Sequence, residues 1–313
     1  MSTTPQEGLL AEVAPHLARI ALLAGRADRA ALHVRRLGGL TNVNYLIEAA
    51  DRSARWVLRV PGAGTADYID RDLEERVARS ADAAGVNAAV LFFDAADGLM
   101  LTAHVDGAVT MTPSRFEDLG AVARAGDVLR RLHRDAAPVG VAFRLFPMLD
   151  EYKALLAAKG AVLPDGYDAA ERLADTARAA LAAKPSPLRA AHCDPLCENF
   201  LDTGERMVLI DYEYAADNDP MWDLGDLSIE AGFDEAHDRA LLRSYFGAEP
   251  PPDQAARMVG YKALADLLWT LWGQLQHVNG NPAEDFRTYA QGRFDRCRAL
   301  MATTQFAAAL AAI

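Results

Sequence analysis

Apolar residues recur at three- and four-residue steps over residues 7–24, at Leu9, Leu10, Val13, Leu17, Ile20 and Leu23, which predicts an amphipathic helix. The period then shortens to two. His33–Leu37, Asn44–Glu48 and Arg55–Val60 are short β-prone runs, joined by Gly38-Gly39-Leu40-Thr41-Asn42 and by a turn at Asp51-Arg52-Ser53. Residues 68–84 regain a helical pattern. Two further strands are expected within 90–105, around the turn at Asp97-Gly98. The first ~105 residues therefore read as a mostly antiparallel sheet with one inserted helix.

Beyond that point helices dominate. Ser114 and Glu117 have the spacing of a capping box, followed by a stripe of Leu119, Val122, Leu129 and Leu132. Residues 168–183 and 254–279 are further helices, the second with Met258, Tyr261, Ala265, Leu268 and Trp272 in register. Short strands return between them, at Leu188–Ala191, Phe200–Leu201 and Met207–Ile210, the last two joined by Asp202-Thr203-Gly204-Glu205. The expected architecture is α+β and two-lobed. A small antiparallel β lobe (residues 1–106) meets a larger, mainly helical lobe (residues 107–313) at a hinge near Val105-Asp106-Gly107. A ligand would bind in the cleft between them.

Composition narrows the function classes. The 313 residues are 51% apolar and 24% charged, ordinary for a globular enzyme, and no repeat or low-complexity tract interrupts them. A formal charge of −12 argues against bulk binding to nucleic acid, whose phosphates select basic surfaces. It would tolerate a cationic substrate better. No run approaches the ~18 uncharged apolar residues of a membrane span, and residues 1–8 lack the basic segment of a secretory signal. Cys193, Cys197 and Cys297 form no C-x-x-C pair, which favours a reducing cytoplasm over a zinc or disulfide frame.

The chemistry concentrates in His192-Cys193-Asp194-Pro195-Leu196-Cys197-Glu198-Asn199, a hairpin, and then Leu209-Ile210-Asp211. Phosphoryl transfer asks a protein for metal ligands, charge at the phosphates and a group that orients the attacking oxygen. Asp194 would orient or accept the hydroxyl proton. Asn199 and Asp211 offer the oxygen ligands that magnesium prefers. A purely structural account makes Asp194 a turn former, Asn199 a strand-end cap and Asp211 a surface acid. It does not explain why both acids close apolar strands, where loops present catalytic groups.

Here the chain resembles a known family. His192–Asn199 is similar to the H-x-D-x-x-x-x-N loop of the aminoglycoside phosphotransferase and choline kinase superfamily, which has the protein-kinase-like fold. Ile210-Asp211-Tyr212-Glu213-Tyr214-Ala215 and Asp219-Pro220-Met221-Trp222-Asp223-Leu224-Gly225-Asp226 resemble the choline/ethanolamine kinase branch. So do Leu37–Asn42, Val57–Gly62, Trp269-Thr270-Leu271-Trp272 and Tyr289–Asp295. The likeness spans residues ~30–300, with the motifs in family order. It departs at Cys193, Pro195 and Leu196, where choline kinases often carry Asn and polar residues. Its Gly38-Gly39 loop is shorter than that of protein kinases, and there is no Walker element.

The resemblance implies transfer of the γ-phosphoryl of ATP, with Mg2+, to the hydroxyl of choline or a related amino alcohol. The rival acceptors are an aminoglycoside or another small molecule. A rival of another class is a catalytically silent kinase-like binding protein, which would have no need to keep Asp194, Asn199 and Asp211 together. Catalysis would fall to these three residues, the last two also holding the metal. Gly39, Thr41, Asn42, Val57, Arg59 and Glu74 would bind the nucleotide. Strand parity agrees, since Arg55, Val57 and Arg59 share one face of their strand and Trp56, Leu58 and Val60 the other. An ordinary solvated arginine is the alternative.

Tyr214, Trp269, Trp272 and Tyr289 match the aromatic cage of choline kinases, and Glu230 the carboxylate beside its ammonium. An aromatic box suits a cation that hydrogen bonds cannot satisfy, although two tryptophans three apart on a helix are also ordinary core. His192 is expected to steady the loop rather than act as a base. The acids at 217, 219, 223, 226, 234 and 235 read either as a solvated loop and helix or as an attractor of cations, with Asp223 tying the loop down.

Overall fold

The computed structural model describes residues 5–24, 32–38, 42–62 and 69–313. Helix α1 (Pro5–Leu17) and the short α2 (Ala21–Ala24) replace the single helix expected over 7–24. Leu10, Val13, Leu17, Ile20 and Leu23 are all buried in one cluster with the sheet that follows. At the break, Arg19 reaches across to Asp94 and Asp97 at 2.5 and 2.6 Å, pinning the helices to a β-turn.

Strands β1 (Leu32–Arg36), β2 (Val43–Ala49) and β3 (Arg55–Val60) form an antiparallel meander, and helix α3 (Arg71–Ala83) follows. Asp70 caps α3 by accepting the Leu73 N–H at 3.0 Å. Strands β4 (Val90–Asp94) and β5 (Leu99–Ala103) complete a five-stranded sheet of order β1-β2-β3-β5-β4. Its period-2 alternation sends Tyr45, Ile47, Trp56, Leu58, Leu99 and Leu101 into the cluster beneath α1. The opposite face carries Arg59.

After β6 (Val109–Thr110), Pro113–Glu117 makes a 3-10 turn and α4 runs Leu119–Asp135. The capping box expected at Ser114 and Glu117 does not form. Thr112 caps the short turn, and Asp118 caps α4 by accepting the N–H groups of Gly120 and Ala121 at 2.9 and 3.2 Å. An aspartate with two free backbone donors ahead of it is the stronger cap. The helix consequently starts later, and Leu119, placed on its apolar stripe by sequence, is exposed.

Helices α5 (Leu145–Ala158) and α6 (Tyr167–Ala183) precede two small sheets. One pairs β7 (Arg189–Ala191) with β10 (Ala216–Asn218); the other joins β6 to the hairpin of β8 (Phe200–Asp202) and β9 (Met207–Leu209). Helices α7 (Pro220–Ala231), α8 (Glu235–Phe246), α9 (Pro252–Val278), α10 (Phe286–Met301) and α11 (Thr304–Ala312) build the rest. Ala263, Leu264, Ala265, Leu267 and Leu268 are all buried, so α9 is enclosed on every side at its middle. The result is a small antiparallel lobe and a larger helical lobe, an α+β arrangement. Among the described residues no helix is long and apolar enough to cross a membrane.

Candidate active site

The loop after β7 is held from behind. Asp223, wholly buried on α7, accepts the backbone N–H of His192 at 2.7 Å and of Cys193 at 2.9 Å, and His133 Nε2 lies 2.9 Å from it. The Trp222 indole donates to the Cys193 carbonyl at 3.0 Å. These bonds over-determine a residue that pays backbone strain, for Cys193 has φ +67° without being glycine. His192 Nε2 lies 2.9 Å from the carbonyl of Ile210, which makes Nε2 the protonated nitrogen and joins this loop to the one carrying Asp211. Burial holds the His192 ring below its ordinary pKa, so it is neutral and positions rather than titrates.

Asp194 emerges from this clamp at the end of the strand. Its backbone carbonyl accepts from Asn199 Nδ2 at 3.1 Å, while its carboxylate has no hydrogen-bond or ion-pair partner among the described residues. Burial raises its pKa well above the carboxylate range, helped by the negative charges of Glu230, Asp211 and Glu213 and opposed by Arg293.

Across the lobes, strand β3 delivers Arg59. It is 4% exposed, and its guanidinium pairs with Glu74 of α3, donates to the Gly98 carbonyl at 3.2 Å and stands 3.5 Å from Asp211. Gly98 has φ +82°, and a Cβ there would meet the Arg71 side chain at 2.6 Å, so the turn must be glycine. Arg71 pairs with Glu74 at 2.5 Å and lies 3.8 Å from Glu213, which in turn accepts from Asn42 Nδ2 at 3.2 Å. Val57 is half-buried on the Arg59 face. Gly39 and Thr41 lie outside the described residues.

Glu74, Asp211 and Glu213 each offer an oxygen, the three within 4.8 Å of one another. Asp211 has φ +71°, and its buried Oδ1 accepts no hydrogen bond. Burial raises its pKa against the pull of Arg59, and burial with the charge of Asp211 pushes Glu213 up to about 7. Three crowded carboxylates, of which Asp211 keeps an oxygen that meets no donor, fit a hard divalent cation.

The acceptor-side candidates also converge. Trp269 and Trp272 meet edge to face at 6.1 Å, Tyr214 lies 6.5 Å from Trp269, and Tyr289 lies 5.9 Å from Trp272. Gly273 lets Tyr289 approach α9, since a Cβ would come within 2.6 Å of its ring. Trp269 is buried and Trp272 half-buried against Phe286, so the group is wall and core at once. Glu230 pairs with Arg293, whose guanidinium lies 4.8 Å over the Tyr289 ring.

Several residues here escape a reading by sequence. Glu213 and Arg293 lie inside the quoted motifs and Arg71 three residues before Glu74, yet nothing local marks them as charged partners. The solvated alternative for the acidic stretch fails at three positions. Asp219, Asp223 and Asp226 are buried, held by Arg257, by His133 with the loop N–H groups, and by the Trp269 indole.

Residues 33–267 match the family described as "Phosphotransferase enzyme family". A crystal structure of a choline/ethanolamine kinase family protein from Mesorhizobium loti is 48% identical, with a TM-score of 0.88, over 97% of this chain and 98% of that one. Protein LicA of Haemophilus influenzae is 28% identical over 270 residues, 83% of this chain and 77% of that protein. The structure of choline kinase LicA from Streptococcus pneumoniae shares the fold, at 24% identity and a TM-score of 0.73 over 90% of this chain and 97% of that one.

Proposed function

We infer the reaction from one premise: the chain belongs to the phosphotransferase enzyme family, the superfamily of aminoglycoside phosphotransferases and choline/ethanolamine kinases, with its protein-kinase-like fold. The reaction is transfer of the γ-phosphoryl of ATP to the hydroxyl of choline or a related amino alcohol. The observation that carries this reading is the position of the unpaired Asp194 carboxylate. It stands within electrostatic reach of Asp211 on one side and of Glu230 and Tyr289 on the other.

Asp194 would accept the hydroxyl proton as the oxygen attacks in line, and its unsatisfied carboxylate is free to do so. Asp211 and Asn199 would hold Mg2+, with Glu213 and Glu74 adding negative charge nearby. A cation held there would supply charge neutralisation at the phosphate oxygens. Asn199 spends its amide N–H on the Asp194 carbonyl, which leaves its amide oxygen for the cation. Arg59, steadied by Glu74, would place two donors on the phosphates. Asn42 and Val57, with Gly39 and Thr41, would line the nucleotide. Tyr214, Trp269, Trp272, Tyr289 and Glu230 would receive the ammonium end.

The 48% identity to a choline/ethanolamine kinase family protein supports the amino-alcohol acceptor over an antibiotic. The test is a magnesium-dependent phosphorylation assay over choline, ethanolamine, thiamine, methylthioribose and kanamycin, compared as kcat/KM. Highest turnover on kanamycin or methylthioribose would refute the acceptor assignment.

A further inference from the structure

Asp226 sits on α7 one turn before Glu230 and is wholly buried. Its Oδ1 accepts the Trp269 indole N–H at 3.0 Å, while Oδ2 has no hydrogen-bond partner. No arginine, lysine or histidine stands within ion-pair distance of it among the described residues. Its neighbours do not share this condition. Glu230 is paired with Arg293, and Asp266 with Arg293 at 3.4 Å and Arg296 at 2.7 Å. Arg293 also covers the Tyr289 ring. The chain's own guanidinium thus already meets the carboxylate and one aromatic face that would otherwise greet an incoming cation.

A buried carboxylate oxygen without a donor is costly, and the cost is relieved only by a group that brings a hydrogen. We propose that Asp226 reads N–H groups at the ammonium end, so that the preferred acceptor is an amino alcohol whose protonated nitrogen keeps at least one hydrogen, rather than its quaternary form. This rests on the amino-alcohol reading above and narrows it. Burial pushes the Asp226 carboxyl well above its ordinary range, and Glu230 and Asp194 push it further. In a carboxyl so disfavoured as an anion, an ammonium N–H that bonds Oδ2 is what stabilises the ionised form. A quaternary nitrogen supplies the charge alone and leaves Oδ2 unmet, the situation in which polar sites discriminate best.

The test is kcat/KM at saturating ATP and Mg2+ for ethanolamine, N-methylethanolamine, N,N-dimethylethanolamine and choline, with the native enzyme and Asp226→Asn. The first three should fall within a narrow range, and choline below them by roughly 10–100-fold, mostly in KM. Asp226→Asn should shrink that last step to about threefold or less. Choline matching or exceeding dimethylethanolamine in the native enzyme would overturn the proposal and leave the amino-alcohol reading standing. So would a step that survives unchanged in a folded Asp226→Asn. If the variant does not fold, the native series decides alone. Phosphorylation of kanamycin and of none of the four amino alcohols would instead remove the underlying reading, and the proposal with it.

Discussion

Arg59, on β3 of the small lobe, and Asp211, in the loop after β9 of the large one, stand 3.5 Å from each other. The contact is too long for a strong hydrogen bond, and the arginine gives its closest contact to Glu74. Asp211 is thereby held near a positive charge without being satisfied by it, the condition in which a carboxylate can still take a cation. Both lobes contribute a residue to this contact, so the geometry is built across the boundary between them.

Arg59→Ala should raise KM for ATP and lower kcat, because charge at the phosphates matters more as the transition state develops. It also takes from the buried Glu74 one of its two arginines, leaving Arg71, and removing one partner of a buried pair costs up to about 3–5 kcal/mol. Arg59→Lys should restore most of the melting temperature but only part of kcat, since a point charge cannot replace the fork. Equal kinetics for all three proteins would detach Arg59 from the nucleotide.

Asp194→Asn and Asp211→Asn should both be nearly inactive, for different reasons. The first removes the proton acceptor, worth roughly 10²–10⁴-fold, and should keep nucleotide binding in the presence of Mg2+. The second replaces a carboxylate ligand by a neutral amide and should weaken metal-dependent nucleotide binding as well. Calorimetric titration of ATP with and without Mg2+ separates them. An Asp194→Asn enzyme near native kcat would exclude Asp194 as the proton acceptor.

What could be read from the sequence follows from how local each signal is. Strand β3 has the bounds expected, Arg55–Val60, because the two-residue alternation of its faces, Trp56 and Leu58 against Arg55 and Arg59, is visible in six positions. The three polar residues 194, 199 and 211 were legible from their loop spacing. Asp223 was legible as the tie that holds the loop, but Asp219 and Asp226 were not, because each is buried by a partner that lies elsewhere in the chain, at Arg257 and Trp269. A run of acids looks solvated until its partners are placed. Helix α5 escaped for the opposite reason: only Leu145, Leu149 and Leu156 are buried along it, too sparse a stripe to mark a helix.

All three cysteines should be inert in the native protein. Cys193, Cys197 and Cys297 are at most 2% exposed, and burial raises each thiol pKa, leaving little of the reactive thiolate near neutral pH. An aromatic disulfide reagent should titrate essentially no thiol in buffer and three in guanidinium chloride. Fast labelling of one native thiol, with loss of activity, would mean that the loop around Asp194 opens.

The two tryptophans on α9 should separate binding from stability. Trp269 is buried, bonds Asp226 through its indole and joins the main core, so Trp269→Ala should cost about 3–5 kcal/mol and depress every kinetic parameter through loss of folded protein. Trp272 is only half-buried and meets Trp269, Phe286 and Tyr289 edge to face, which leaves part of its ring for a ligand. A desolvated cation–π contact is worth on the order of 2 kcal/mol, roughly thirtyfold in affinity. Trp272→Ala should therefore raise KM for the amino alcohol by about that factor and leave KM for ATP little changed, with Trp272→Phe milder. Melting temperature measured beside both KM values decides the matter. A large thermal shift with an unchanged amino-alcohol KM in the folded fraction would return Trp272 to the core and shift the ammonium site toward Tyr214 and Tyr289.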